Sequence, residues 1–116
     1  MSKTVAYAAR DKTTPLSPFS LERREPGSKD VDIEILYCGV CHSDLHQAKS
    51  EWAGTIYPLV PGHEIVGRVV RVGAEVKGFK KGDLAAVGCM VDSCRTCPEC
   101  QAGLEQYCTV GTVFTY

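Results

Sequence analysis

Residues 61–73 read PGHEIVGRVVRVG, and this stretch gives the clearest indication of the fold. Its run of β-branched residues predicts a strand from Glu64 to Val72, entered through a turn bracketed by prolines. A glycine inside a strand usually marks a bulge or the close approach of a second backbone, so we expect one of the two at Gly67.

The segments on either side of this stretch predict a mostly β domain with little helix. Apolar and polar residues alternate over residues 31–37, which indicates a strand covered on one face, and residues 84–87 predict another strand. Residues 43–49 predict a short helix, because Ser43 can cap its start and the segment lacks Gly, Pro and β-branched residues. The β-branched and aromatic residues at 110–116 indicate the start of a further strand.

Downstream, residues 92–108 lose all periodicity and concentrate cysteine. Cys94, Cys97, Cys100 and Cys108 form C-x2-C-x2-C-x7-C in a loop with almost no apolar residues of its own. A tetrahedral zinc held by four thiolates would contribute the folding free energy that such a loop lacks. Free cysteines packed as small hydrophobic residues fit this polar stretch poorly.

An iron-sulfur cluster is the main alternative to zinc for this loop. The first three cysteines have the spacing of the bacterial ferredoxin run C-x2-C-x2-C-x3-C-P. The fourth departs from it, because position 104 is Leu104 and no proline follows Cys108. The spacing therefore favours zinc and leaves an electron-transfer module open.

A second concentration of reactive side chains lies in residues 37–47, which read YCGVCHSDLHQ and follow a predicted strand. Taken singly, its members have ordinary explanations: Cys38 and Cys41 as small buried residues, His42 and His46 as solvated helix residues, Asp44 as a first-turn carboxylate. The Cys38 and Cys41 pair also has the spacing of a thioredoxin-like redox site, but no βαβ pattern surrounds it.

Composition narrows the classes of function. The 116 residues are 44% hydrophobic and 23% charged, with 13 Lys and Arg against 14 Asp and Glu. This balance lacks the basic field that nucleic acid or an anionic membrane surface would require. Neither a membrane span nor a signal-peptide core is apparent, so we expect a cytoplasmic protein whose seven cysteines serve metal or redox chemistry.

Read in order, the segments GVCHSD, GHE, KGD and the four-cysteine loop resemble the zinc-dependent medium-chain alcohol dehydrogenases. CGVCHSDLHQ, SEWAG and PGHEIVGRVV are most similar to the cinnamyl alcohol dehydrogenase branch and the related bacterial NADPH-dependent aldehyde reductases. The resemblance implies a mostly β (α+β) fold, a GroES-like partly open barrel, here truncated. A structural-zinc lobe over residues 92–108 would project from it.

The resemblance also implies roles at a catalytic zinc. Cys41 and His63 would be ligands, leaving an open position for the substrate oxygen, and Glu64 would be an alternative ligand when substrate is absent. Asp44 would fix the orientation of the His63 imidazole.

Further roles follow from the same resemblance. Ser43 and His46 would form a proton relay, Trp52 would line the substrate pocket, and His42 would contact the cofactor. The structural zinc would be bound by Cys94, Cys97, Cys100 and Cys108. Cys38 and Cys89 match no ligand position.

For the protein as a whole, the resemblance implies an NADP(H)-linked interconversion of primary alcohols and aldehydes, two zinc ions per intact subunit and a homodimer at full length. Residues 1–116 would then be a partial catalytic domain, with the Rossmann nucleotide-binding domain absent and the isolated chain inactive. No G-x-G-x-x-G motif occurs in the sequence. The alternatives are a zinc-binding or iron-sulfur module that uses only the four-cysteine loop, and a GroES-like domain that merely associates with partners.

Overall fold

The computed structural model describes residues 2–116, whose strands form three antiparallel sheets. The elements in chain order are β1 (Ser2–Ala8), β2 (Ser17–Arg23), β3 (Val31–Gly39), α1 (His42–Ala48), β4 (Glu64–Val72), β5 (Leu84–Val87), β6 (Met90–Asp92), α2 (Pro98–Gln101) and β7 (Val113–Phe114). A 3-10 turn, Glu105–Tyr107, lies between α2 and β7. The sheets contain β1 with β2, β3 with β4 and β5, and β6 with β7.

The central sheet confirms the prediction made from residues 61–73. Strands β4 and β5 have the predicted bounds, and β4 lies between β3 and β5. Gly67 pairs with Ile35, next to a shift in the register of β3. A Cβ atom at Gly67 would lie 2.4 Å from the carbonyl oxygen of Glu34, so a larger residue would push the two strands apart. The expected close approach of a second backbone is therefore present.

Three local predictions need correction. The helix α1 begins at His42, and its N-cap is Cys41 rather than Ser43, because Cys41 has an extended backbone and its N–H donates to the Asp44 carboxylate. The strand predicted over residues 110–116 is confined to Val113–Phe114. Ile35 and Tyr37 are exposed, so in residues 2–116 this end of β3 is not covered on one face.

The remaining sheets position the two ends of the chain. Strand β1 pairs with β2 along its whole length, and the next residue, Ala9, exchanges two backbone hydrogen bonds with Leu59. Ala8, Ala9 and Val69 are almost completely buried. Strand β7 returns to pair with β6, so the cysteine-rich segment between them leaves and re-enters the fold at one place. The sheets stay open and do not close into a barrel.

Within residues 2–116 no helix is both long enough and apolar enough to cross a membrane.

Candidate active site

Cys41, His63 and Glu64 come together at the end of the central sheet where β3 finishes and β4 begins. One ligand atom from each lies within 4.8 Å of the others. Cys41 is the N-cap of α1, His63 immediately precedes β4, and Glu64 is the first residue of β4, paired with Gly39. We call these three residues the Cys41 cluster.

The turn before β4 brings His63 to this position. Gly62 has a φ of 127°, a region that favours glycine, and a Cβ there would lie 2.8 Å from the Cys38 sulfur. A side chain at residue 62 would therefore meet both backbone strain and a steric clash. The sequence Gly-His-Glu places the imidazole and the carboxylate at the sheet end because the glycine allows this tight turn.

Asp44 holds the backbone of Cys41 in place beside the cluster. Its side chain is buried, and its Oδ2 atom accepts a 2.8 Å hydrogen bond from the Cys41 backbone N–H. Its Oδ1 atom accepts a hydrogen bond from the Tyr116 hydroxyl. The Tyr116 ring stacks on the His63 ring, with centroids 5.3 Å apart and planes 10° from parallel. Asp44 therefore reaches His63 through Tyr116, a residue that no pattern in the sequence marks as part of a site.

The environment of Tyr116 keeps its hydroxyl protonated. Partial burial and the hydrogen bond to the Asp44 carboxylate raise the pKa of Tyr116 well above its usual value. The phenol is therefore a hydrogen-bond donor to Asp44 at neutral pH.

The two residues expected to form a proton relay lie on the same helix as Asp44. The Ser43 hydroxyl oxygen is 3.6 Å from the Cys41 sulfur. The Nδ1 atom of His46 is 3.1 Å from Oε2 of Glu51. Because a carboxylate only accepts, this contact places the imidazole proton on Nδ1 and leaves Nε2 free to accept another. Glu51 gave no signal in the sequence because it lies beyond the end of α1.

Trp52 and His42 flank His46 in a ladder of stacked rings. The centroid of His46 is 4.7 Å from that of Trp52 and 5.3 Å from that of His42. Trp52 is 57% exposed, so its ring presents a broad apolar surface beside the relay residues. Its role in a substrate pocket and that of His42 in cofactor binding stay predictions.

The second cluster lies in the segment between β6 and β7, which we call the cysteine lobe, residues 92–108. The sulfur atoms of all four predicted ligands lie within 4.8 Å of one another. Cys97 and Cys100 are buried, and Cys97 is the N-cap of α2. The backbone N–H groups of Thr96 and Cys97 both donate to the Cys94 sulfur and lower the pKa of Cys94 to about 6. A thiol with so low a pKa loses its proton easily, and the thiolate is the form that binds a metal ion.

The convergence of four sulfurs contradicts an arrangement of separately packed thiols. In residues 2–116, the two remaining cysteines, Cys38 and Cys89, are exposed and belong to neither cluster.

A sequence model of the family described as "Alcohol dehydrogenase GroES-like domain" matches residues 27–116. The chain belongs to this family. The mostly β, GroES-like fold expected from the sequence is thereby confirmed, as is the resemblance to the zinc-dependent alcohol dehydrogenases.

Relatives of this alcohol dehydrogenase domain agree with the branch expected from the sequence. The chain is 65% identical over 103 residues to "Aldehyde reductase YahK" of Escherichia coli, covering 89% of this chain and 29% of that protein. Other relatives are named cinnamyl alcohol dehydrogenases.

Solved structures of longer chains contain a similar domain. A CAD from Helicobacter pylori complexed with NADP(H) is 47% identical, with a TM-score of 0.91 over 98% of this chain and 33% of its own. A cobalt- and zinc-bound alcohol dehydrogenase from Pyrobaculum aerophilum is 28% identical, with a TM-score of 0.78 over 97% of this chain and 35% of its own. The chain thus spans about a third of the length of these proteins.

Proposed function

We propose that this chain is the metal-binding part of a zinc-dependent oxidoreductase that interconverts primary alcohols and aldehydes with NADP(H). The observation that carries the proposal is the convergence of Cys41, His63 and Glu64 at the sheet end, beside Ser43 and His46. A GroES-like domain that only associates with partners would need none of these side chains at one place.

The donor set fits a catalytic zinc. The Cys41 thiolate and the His63 imidazole would be the ligands, and the Glu64 carboxylate, whose ligand atom lies within 4.8 Å of theirs, would be an alternative ligand when substrate is absent. Zinc held by these residues would supply Lewis-acid chemistry at the carbonyl or alcohol oxygen. Glu64 is exposed, so its carboxylate is free to move away when a substrate oxygen needs its place.

The chain's own residues would carry the proton. Ser43 lies next to the Cys41 sulfur, within reach of a substrate oxygen held at the cluster. Glu51 orients the His46 imidazole so that Nε2 is the accepting atom. A positioned imidazole is the side chain that most often transfers protons in enzymes, which suits a relay.

The cysteine lobe would hold a second, structural zinc. Four thiolates with no open position make a closed site, and two of the four sulfurs belong to buried residues. We therefore propose two zinc ions per intact subunit, one for each cluster.

The remaining parts of the reaction would be supplied by residues outside this chain. We infer that NADP(H) binds to a Rossmann domain, with His42 as a contact from this side, because relatives about three times as long include one solved with NADP(H). The 116 residues alone would then be inactive. The whole protein would be a cytoplasmic homodimer acting on a small-molecule alcohol or aldehyde.

A chimera tests this proposal directly. The chain is joined to the remainder of the Escherichia coli aldehyde reductase, and NADPH oxidation is followed with an aromatic and an aliphatic aldehyde. We expect activity in the chimera and, in its Cys41→Ala variant, a loss larger than the roughly 10–100-fold that an outer-shell metal partner contributes. Cys89→Ala is the matched control and should keep full activity.

Near-normal activity in the Cys41→Ala chimera would show that the ligand assignment is wrong. Brown colour and iron in the purified chain would instead favour an electron-transfer module built on the cysteine lobe.

A further inference from the structure

Tyr116 contacts His63 of the Cys41 cluster and the neighbouring Asp44, although both lie far from it in the sequence. Its hydroxyl donates to Asp44, 72 residues earlier, and its ring stacks on His63. Asp44 in turn accepts a hydrogen bond from the backbone N–H of Cys41. One continuous set of contacts therefore runs from Cys41 through Asp44 and Tyr116 to His63.

The position of Tyr116 is fixed by the backbone that precedes it. The N–H of Thr115 donates to the carbonyl of Cys89 at 3.0 Å, and the Thr115 hydroxyl donates to the carbonyl of Gly88. The two residues before Thr115 form β7 and pair with β6. These bonds tie the segment to the end of β5, so the tyrosine ring is delivered to one place.

The stacked ring constrains a side chain that would otherwise rotate. His63 is half-buried, and its ring lies almost parallel to that of Tyr116. An imidazole whose plane is fixed loses less rotational freedom when it binds a cation. The Asp44 carboxylate is similarly held, because each of its two oxygens has a donor and its side chain is buried.

We propose that Tyr116 is a positioning residue of the Cys41 cluster, fixing the plane of the His63 imidazole with its ring and the Asp44 carboxylate with its hydroxyl. This inference rests on the proposed function, because it assumes that the cluster binds a divalent cation. Outer-shell partners of this kind typically change metal affinity by about 10–100-fold.

The test is a titration of the metal-free chain with Co²⁺, followed by absorption. Each protein is titrated with and without Cys41→Ala, and the difference between the two curves isolates the Cys41 cluster from the cysteine lobe. The proteins are the wild type, Tyr116→Phe and Tyr116→Ala. Tyr7→Ala, at an exposed tyrosine of β1, is the matched control.

We expect Tyr116→Ala to weaken Co²⁺ at the cluster by about 10-fold or more. Tyr116→Phe should lie between Tyr116→Ala and the wild type, because it keeps the ring and loses only the hydroxyl. Tyr7→Ala should bind like the wild type, and Co²⁺ bound by the cysteine lobe should give the same spectrum in all four.

Proton NMR of the metal-free chain provides a readout of the ring itself. The carbon-bound protons of His63 should be shifted upfield by the Tyr116 ring in the wild type and in Tyr116→Phe, and this shift should vanish in Tyr116→Ala. If Tyr116→Ala fails to fold, the comparison of Tyr116→Phe with the wild type still decides the role of the hydroxyl.

Wild-type Co²⁺ affinity in both Tyr116 variants would overturn the positioning role while leaving the proposed function standing, provided that Cys41→Ala still removes the signal of the cluster. If Cys41→Ala removes no signal in any of the proteins, the cluster binds no metal. In that case the positioning role and the proposed function both fail.

Discussion

The cysteine lobe and the Cys41 cluster are both candidate metal centres, and they are built in opposite ways. The four donors of the lobe come from one segment of 15 residues, 94–108, with little regular structure besides the short helix α2. The three donors of the cluster come from the start of α1 and the start of β4, brought together by the sheet. The lobe has four sulfurs, whereas the cluster has mixed donors and an exposed carboxylate.

The two regions therefore differ in how metal binding is related to folding. The lobe has almost no apolar core, so we expect its order to depend on an ion bound by its thiolates. Strand pairing and the hydrogen bond from Cys41 to Asp44 position the residues of the cluster without an ion. The geometry of the cluster therefore depends on the fold. A site with four protein ligands is typical of structural zinc, whereas a site with an open position is typical of catalytic zinc.

The largest expected effect is loss of the lobe when one buried ligand is removed. Cys100→Ala should release the lobe's metal and with it a stabilisation on the order of 10 kcal/mol, the magnitude typical of structural zinc in small domains. Limited proteolysis should then cut within residues 92–108, while the central sheet stays resistant.

Cys89→Ala is the control for this experiment, because Cys89 is exposed and lies in neither cluster. A lobe that resists protease equally well in Cys100→Ala would mean that it folds without metal, and the contrast between the two regions would disappear.

The second-largest effect is expected from a substitution that destabilises the central sheet and leaves the cysteine lobe unchanged. Gly67→Ala places a Cβ 2.4 Å from the Glu34 carbonyl oxygen, so the strands must separate. We expect a loss of about 1–3 kcal/mol in the free energy of unfolding, measured with urea, because overpacked sites cost this much. Metal binding at the Cys41 cluster should weaken with it.

Gly88→Ala is the matched control, since a Cβ there meets no atom within 4 Å. If both variants have the same stability as the wild type, the close approach at Gly67 does not control the sheet. If Gly67→Ala also releases the lobe's metal, the order of the lobe depends on the central sheet and not only on its own ion.

The two regions are joined at one point, which predicts a smaller, indirect effect. Strand β7 follows the lobe directly and leads into Thr115 and Tyr116. Removing the lobe's metal should loosen β7 and weaken Co²⁺ at the Cys41 cluster by about 5-fold, the low end of typical coupling between sites. The titration is repeated in a Cys100→Ala background, and an unchanged affinity would show that Tyr116 is held without the lobe.

The smallest expected effect is at the proposed relay. Glu51→Gln removes the charge beside His46 but should change stability by less than about 1 kcal/mol, because the pair is partly exposed. The informative readout is ¹⁵N NMR of the His46 ring, where the preference for a proton on Nδ1 should weaken. Glu22→Gln, at an exposed carboxylate in β2, should leave the ring signals unchanged, and an identical tautomer in Glu51→Gln would remove the basis for this orientation.

The sequence predicted the features that depend on neighbouring residues. The bounds of β4 and β5, the close approach at Gly67 and the grouping of the four lobe cysteines all follow from local patterns. The start of α1 was displaced by one residue, because Asp44 caps the backbone of Cys41 and no local rule distinguishes that arrangement from a Ser43 cap.

What could not be predicted depends on contacts between distant segments. Tyr116 meets Asp44 only because β7 returns to β6, and nothing in its own neighbourhood marks it as a site residue. Glu51 meets His46 because the chain turns after α1. The convergence of Cys41 with His63 could be expected only from resemblance to a family, since 21 residues lie between them in the chain.

The most direct test of the two-centre account is the zinc content per chain, measured by elemental analysis after saturation with zinc and removal of the free ion. We expect about two zinc ions in the wild type and about one in Cys41→Ala. An equal zinc content in the two proteins, or iron in place of zinc, would contradict it.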